Sequence, residues 1–159
     1  MGIELFITST CNKNCTYCYL QKYQDKLCPV DLRDEKLILN NLDILLNHLL
    51  EKCEDIETLD IFTGEIWESD FGVKILEALL FFIKEKKLKI EKIIIPTNCS
   101  FINNKKYFDI IESFIEKFQK ENCRLIFSLS DDGLVLDDIN RPYKNSKKKD
   151  LEDFYERLF

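Results

Sequence analysis

The sequence predicts an α/β fold of about four βα units around a parallel sheet, on three observations. Short β-branched runs alternate with longer segments, the longer segments repeat apolar residues at three- and four-residue steps, and no Pro-, Gly- or Ser-rich linker divides the chain. Ile3 to Thr8 reads as the first strand. From Asp34 to about Glu51, the spacing of Ile38, Leu42, Leu45, Leu46 and Leu49 predicts an amphipathic helix. Thr58 to Phe62 is the second strand, and Leu76, Leu79, Leu80 and Ile83 mark one face of a second helix. Ile93-Ile94-Ile95 is too short and too β-branched for a helix and reads as a third strand ended by Pro96. A third helix is predicted from about Lys105 to Glu121, with Ile111, Phe114, Ile115 and Phe118 inward. Leu125 to Leu129 form the fourth strand, and Leu151, Phe154, Tyr155 and Leu158 begin a fourth helix. Four successive βα units imply a parallel sheet with right-handed crossovers.

The chain is expected to form one domain over residues 1–159, with a fourth strand whose edge is open. Its last helix stops in mid-stripe at Leu158-Phe159, which points to a parent protein that continues or to completion by a partner chain. A net charge of −6 argues against nucleic acid as a partner. The basic run Lys147-Lys148-Lys149 is followed at once by Asp150, Glu152 and Asp153 and reads as a solvated face. The longest apolar run, Ala78 to Ile83, is too short to span a bilayer. Met1 to Thr10 carries Glu4 and no basic segment, unlike a secretion signal. A cytoplasmic location follows as the expectation, where thiols stay reduced, so the odd count of seven cysteines points to metal or catalysis before disulfides.

Cys11-Asn-Lys-Asn-Cys15-Thr-Tyr-Cys18 lies directly after the first strand. Three thiolates within eight residues of loop can converge on an iron–sulfur cube and leave one iron open. Two other readings of the same residues stay open: structural zinc, with Cys28 as fourth ligand, and free thiols. His48 is a poor ligand candidate and is expected to be a partly buried packing residue.

The loop, with Tyr17 at its aromatic position, resembles the signature of radical S-adenosylmethionine enzymes. The resemblance implies a 4Fe–4S cluster on Cys11, Cys15 and Cys18, with S-adenosylmethionine on the open iron. It also implies reductive cleavage of that cofactor to a 5′-deoxyadenosyl radical, which takes hydrogen from a substrate. An electron donor such as flavodoxin or ferredoxin follows from the same resemblance. The family's catalytic domain is a partial (β/α) barrel of six βα units, so the resemblance implies that this sequence is the N-terminal half of such a barrel, about four βα units without the fifth and sixth.

Later strand ends fit the same resemblance. Thr63-Gly64-Glu65 is similar to the family's Gly-Gly-Glu, whose acid binds the cofactor's ammonium, with Thr63 in place of the first glycine. Pro96-Thr97-Asn98-Cys99 resembles its Thr-Asn-Gly, with Cys99 in place of glycine and expected to be a small buried residue. Ser128-Leu129-Ser130-Asp131-Asp132-Gly133 is similar to an element of the peptide- and protein-modifying branch. That likeness gives Ser128, or Ser130 in its place, a cofactor contact and suggests a peptide or protein substrate. Arg141, in a loop similar to that branch's, would pair with the cofactor carboxylate. Tyr17, Gly64, Glu65, Asn98, Ser128 and Arg141 are therefore the expected cofactor-binding residues. Cys53 and Cys123 fall at the amino end of the array and are expected to be structural. Two other functional classes fit the same sequence: a zinc-stabilised binding module, and a silent relative that holds the cluster and acts through a partner.

Overall fold

The computed structural model describes residues 1–23, 34–53, 55–98 and 100–130. Four strands, β1 (Gly2–Phe6), β2 (Ile56–Phe62), β3 (Ile90–Thr97) and β4 (Arg124–Leu129), form one sheet in the order β1-β2-β3-β4. Every neighbouring pair is parallel. A single helical turn, α1 (Tyr19–Lys22), follows the cysteine loop, and α2 (Glu35–Lys52), α3 (Phe71–Lys84) and α4 (Lys105–Lys120) connect the strands. Short 3₁₀ turns at Ile66–Glu68 and Ser100–Asn103 lie between strand and helix in the second and third units. The α/β class and the parallel alternation are as the sequence predicts. The fourth helix, Cys28, Cys99, Arg141, the Asp131-Asp132-Gly133 element and the lysine run lie outside the described residues.

Helix limits follow from capping. The Asp34 carboxylate accepts from the Leu37 N–H at 3.1 Å and starts α2, and the Asn104 side chain accepts from the Lys106 N–H at 3.1 Å and starts α4. Strand order without a reversal, joined by right-handed crossovers, lays the helices on one face of the sheet. Rows of apolar side chains on that face align across the register, Leu5 beside Ile61, Leu59 beside Ile93, and Ile95 beside Phe127. They form one core with Leu42 and Leu46 of α2, Ile75 and Leu79 of α3, and Phe114 and Phe118 of α4. The opposite face carries Glu4, Thr58, Asp60, Lys92 and Arg124, all half-buried or exposed.

Three expectations need correcting. Pro96 does not end the third strand, which runs on to Thr97. Ser130 donates its N–H to the Thr97 carbonyl at 2.8 Å, so residue 97 turns its polar main chain toward β4. By the alternation of a strand, Pro96 turns its nitrogen toward β2, where the missing N–H ends the pairing at Asp60 beside Ile94 while β3 and β4 stay paired as far as Thr97 and Leu129. Ile115 is not inward. It follows Phe114 by one residue, at the rim of the apolar stripe, and is 37% exposed, whereas Ile111, Phe114 and Phe118 are buried. His48 is exposed rather than packed, because it rides one turn beyond the exposed Ile44 on the outer face of α2.

No helix among the described residues is long and apolar enough to cross a membrane. The correction in α4 yields a contrast: Phe114→Ala should cost about 3–5 kcal/mol by urea denaturation, and Ile115→Ala less than about 1 kcal/mol.

Candidate functional site

The carboxyl ends of β1, β2 and β3 and the segments that follow them surround one cavity of about 290 Å³. Its walls include Cys11, Lys13, Cys15, Tyr17 and Cys18 from the loop after β1, Thr63 and Gly64 after β2, and Asn98 after β3. Its volume is at the lower end of the range for small-molecule sites, about 300–1,000 Å³. Carboxyl ends of parallel strands are where α/β folds place chemistry, since loops there converge on a rigid frame.

The cavity exists because β2 and β3 part beyond Asp60 and Ile94. Glu65, 2% exposed, bridges the opening. Its Oε1 accepts from the Trp67 N–H at 3.2 Å and from the Thr97 hydroxyl at 3.1 Å, and its Oε2 accepts from the same hydroxyl at 2.9 Å and from the Asn98 N–H at 2.8 Å. A buried carboxylate needs such donors, because its desolvation costs several kcal/mol unless its oxygens are satisfied.

The cysteine loop is fastened to β2 by main-chain bonds. Thr8 accepts from the Gly64 N–H at 2.7 Å and Thr10 from the Glu65 N–H at 2.7 Å. The Thr63 hydroxyl donates to the Thr8 carbonyl at 3.3 Å, an added tie between the two segments. Gly64 is required for proximity: a Cβ there would stand 2.1 Å from the Thr10 carbonyl oxygen. Further along, the Asn98 amide donates to Asn12 Oδ1 at 2.8 Å and lies 3.9 Å from Cys11 Sγ. The Lys13 N–H donates to the same sulfur at 3.5 Å.

Cys11, Cys15 and Cys18 are thiols outside any disulfide, each half-buried. They share the cavity, although among the described residues no three cysteine, histidine or carboxylate side chains converge to hold a single metal ion. Tyr17 stands at the cavity wall with 58% of its surface exposed. Of the two serines of β4 and its end, Ser130 lines the cavity, whereas Ser128 is exposed and is not among the lining residues. The cavity lining thus brings Tyr17, Gly64, Asn98 and Ser130 together with the three cysteines, and Glu65 is joined to it through the Asn98 N–H. Arg141 lies outside the described residues.

Two contributors carried no sequence signal of their role. Thr97 sits within the quoted Pro-Thr-Asn-Cys run, and only the position of Glu65 shows what its hydroxyl does. Lys13, inside the cysteine loop, is 2% exposed where a loop lysine is ordinarily solvated. Of the remaining cysteines, Cys123 is buried beneath α4, and burial pushes its thiol up to about 12. Cys53 is half-buried at the end of α2, away from the cavity.

No protein-family model and no solved structure matches the chain. A search of curated proteins finds similarity to an uncharacterized protein of Methanocaldococcus jannaschii, 31% identical over 149 residues. The matched region covers 93% of this chain, which spans 44% of the length of that relative.

Two outcomes check the site. Gly64→Ala should destabilise the protein by about 2–4 kcal/mol in urea denaturation, because backbone rather than a movable side chain opposes the new methyl. In native protein at pH 8, iodoacetamide followed by peptide mass spectrometry should modify Cys11, Cys15 and Cys18 while sparing Cys123, whose thiol is both buried and held protonated.

Proposed function

We propose that this chain is the N-terminal part of a radical S-adenosylmethionine enzyme, a partial barrel whose Cys11, Cys15 and Cys18 hold a 4Fe–4S cluster. The observation that carries the reading is that all three cysteines of one loop line a single cavity at the strand ends, with Gly64 and with Asn98, whose N–H the Glu65 carboxylate accepts. The donor set suits the group. Thiolates are the usual iron–sulfur ligands, and three of them leave one iron open. A single zinc ion asks for four closed ligands, and the fourth candidate, Cys28, lies outside the described residues. A cube takes one thiolate per iron and so tolerates sulfurs spread around a wider space.

When bound, the cluster would supply one electron to the sulfonium of S-adenosylmethionine and so start a hydrogen abstraction. The chain's own residues prepare that event. The Lys13 N–H and the Asn98 amide approach Cys11 Sγ and fix its direction, a contact that favours the thiolate. Glu65 is buried and bonded to Thr97 and Asn98 of the cavity wall, which hold its carboxylate in place, and a carboxylate there would suit the cofactor's ammonium. Ser130 and Tyr17 both line the cavity, and a contact of Ser130 with the cofactor belongs to the same reading. Arg141 keeps its proposed pairing with the cofactor carboxylate on the sequence resemblance alone. A cytoplasmic setting and a reductant such as flavodoxin or ferredoxin belong to the same reading, as does a peptide or protein substrate. The remainder of the barrel would come from further chain or a partner, in keeping with a relative more than twice as long.

Anaerobic reconstitution with iron and sulfide tests the reading. The protein should gain the broad visible absorbance of a 4Fe–4S centre, Cys15→Ala should lose it, and strong reductant with S-adenosylmethionine should yield 5′-deoxyadenosine. A lone tetrahedral zinc in protein purified without oxygen would sink the proposal. A cluster that never cleaves the cofactor would leave a silent relative instead.

A further inference from the structure

Lys13 is a buried charged residue of the cavity lining, and the reading above leaves its side chain unused. It stands between Cys11 and Cys15, lines the cavity with them, and is 2% exposed. Among the described residues it is the only buried basic side chain, and Glu65 is the only buried acidic one. Lysines are almost never fully buried unless opposite charge compensates the loss of water. A loop lysine beside solvent has easy alternatives, because its four-carbon stem can carry the ammonium outward. Here the stem is retained inside, among three residues whose deprotonated forms are anions.

We propose that Lys13 is the fixed counter-charge of the cysteine cage, and that its ammonium sets how readily a cluster held there accepts its electron. The inference rests on the cluster reading of the preceding section. Its physical basis is direct. Three thiolates and their cluster carry net negative charge, and adding an electron makes it more negative. A cation enclosed in the same cavity stabilises the reduced form more than the oxidised one, with little water to screen it. The step itself is a one-electron transfer from an external reductant such as dithionite to the cluster. No bond forms or breaks, and Lys13 neither gains nor loses a proton. Lys13 is therefore a positioning residue for charge rather than a ligand.

The full chain, reconstituted anaerobically as wild type, Lys13→Met and Lys13→Arg, tests this by redox titration followed by electron paramagnetic resonance. Methionine keeps most of the side chain's length and removes the charge; arginine keeps the charge. At equal solution potential the Lys13→Met cluster should be at least tenfold less reduced, which is a midpoint about 59 mV more negative for one electron. Lys13→Arg should stay within about threefold of the wild type by the same conversion. Thermal melts by circular dichroism establish that each variant is folded, and Lys13→Gln replaces Lys13→Met should the latter not fold. Equal midpoints for wild type and the uncharged variant overturn the proposal. If the uncharged variant folds but takes up no iron, recovery of uptake in Lys13→Arg supports the counter-charge, and continued failure in Lys13→Arg overturns it. Wild-type protein that forms no cluster is a separate result and removes the underlying reading instead.

Discussion

One carboxylate determines what the carboxyl end of this sheet can be. β2 and β3 separate where Pro96 has no N–H to offer, and a gap at that point would ordinarily close by collapse or fill with water. Glu65 prevents both outcomes by taking the Trp67 N–H, the Thr97 hydroxyl and the Asn98 N–H, so the strands stay apart at a fixed distance. Asn98 is thereby placed to reach Asn12 and Cys11. The proline opens the sheet, the acid holds it open, and the cysteine loop closes over the result.

Stability and function are assigned to different parts of the same frame. The continuous apolar rows of β2 and β3 meet α2, α3 and α4 in one core, which provides the bulk of the burial free energy. Polar groups that are costly to bury gather at the strand ends, where Lys13, Thr63, Glu65 and Thr97 are all nearly inaccessible. Behind them Trp67 packs against Phe101 and Phe127, with ring centroids 5.6 and 6.0 Å away, and Gly72 leaves room for its ring. Its indole N–H is buried with no acceptor among the described residues. Unsatisfied buried donors are rare, and this one sits directly beside the site rather than in the distant core.

Much of this was legible from the residues alone. Strand–helix alternation, parallel pairing and the inward stripes of α2 and α3 follow from period and residue type, because those patterns are imposed by burial on one face. The cysteine loop was legible too, since its spacing is dense and local. Other features depend on relations that no local window contains. Pro96 reads as a stop signal in isolation, and only the direction of its nitrogen, toward β2 rather than β4, explains why the strand continues. Ile115 and Phe114 are equally apolar, and one step of helical rotation separates surface from core. The burial of Lys13 and the service of Thr97 to Glu65 are tertiary facts, invisible until the strand ends are brought side by side.

The contact at Gly64 also bears on how this region moves. Thr10 lies against the Gly64 backbone with no room for even a methyl group, and hydrogen bonds on either side seal the contact. Close-packed backbones without free volume cannot slide past one another; they transmit displacement as a solid does. The segment leading into the first cysteine is therefore mechanically continuous with the end of β2, and thermal motion of one is motion of the other. Whatever chemistry the thiols perform is performed from an anvil rather than from a tether.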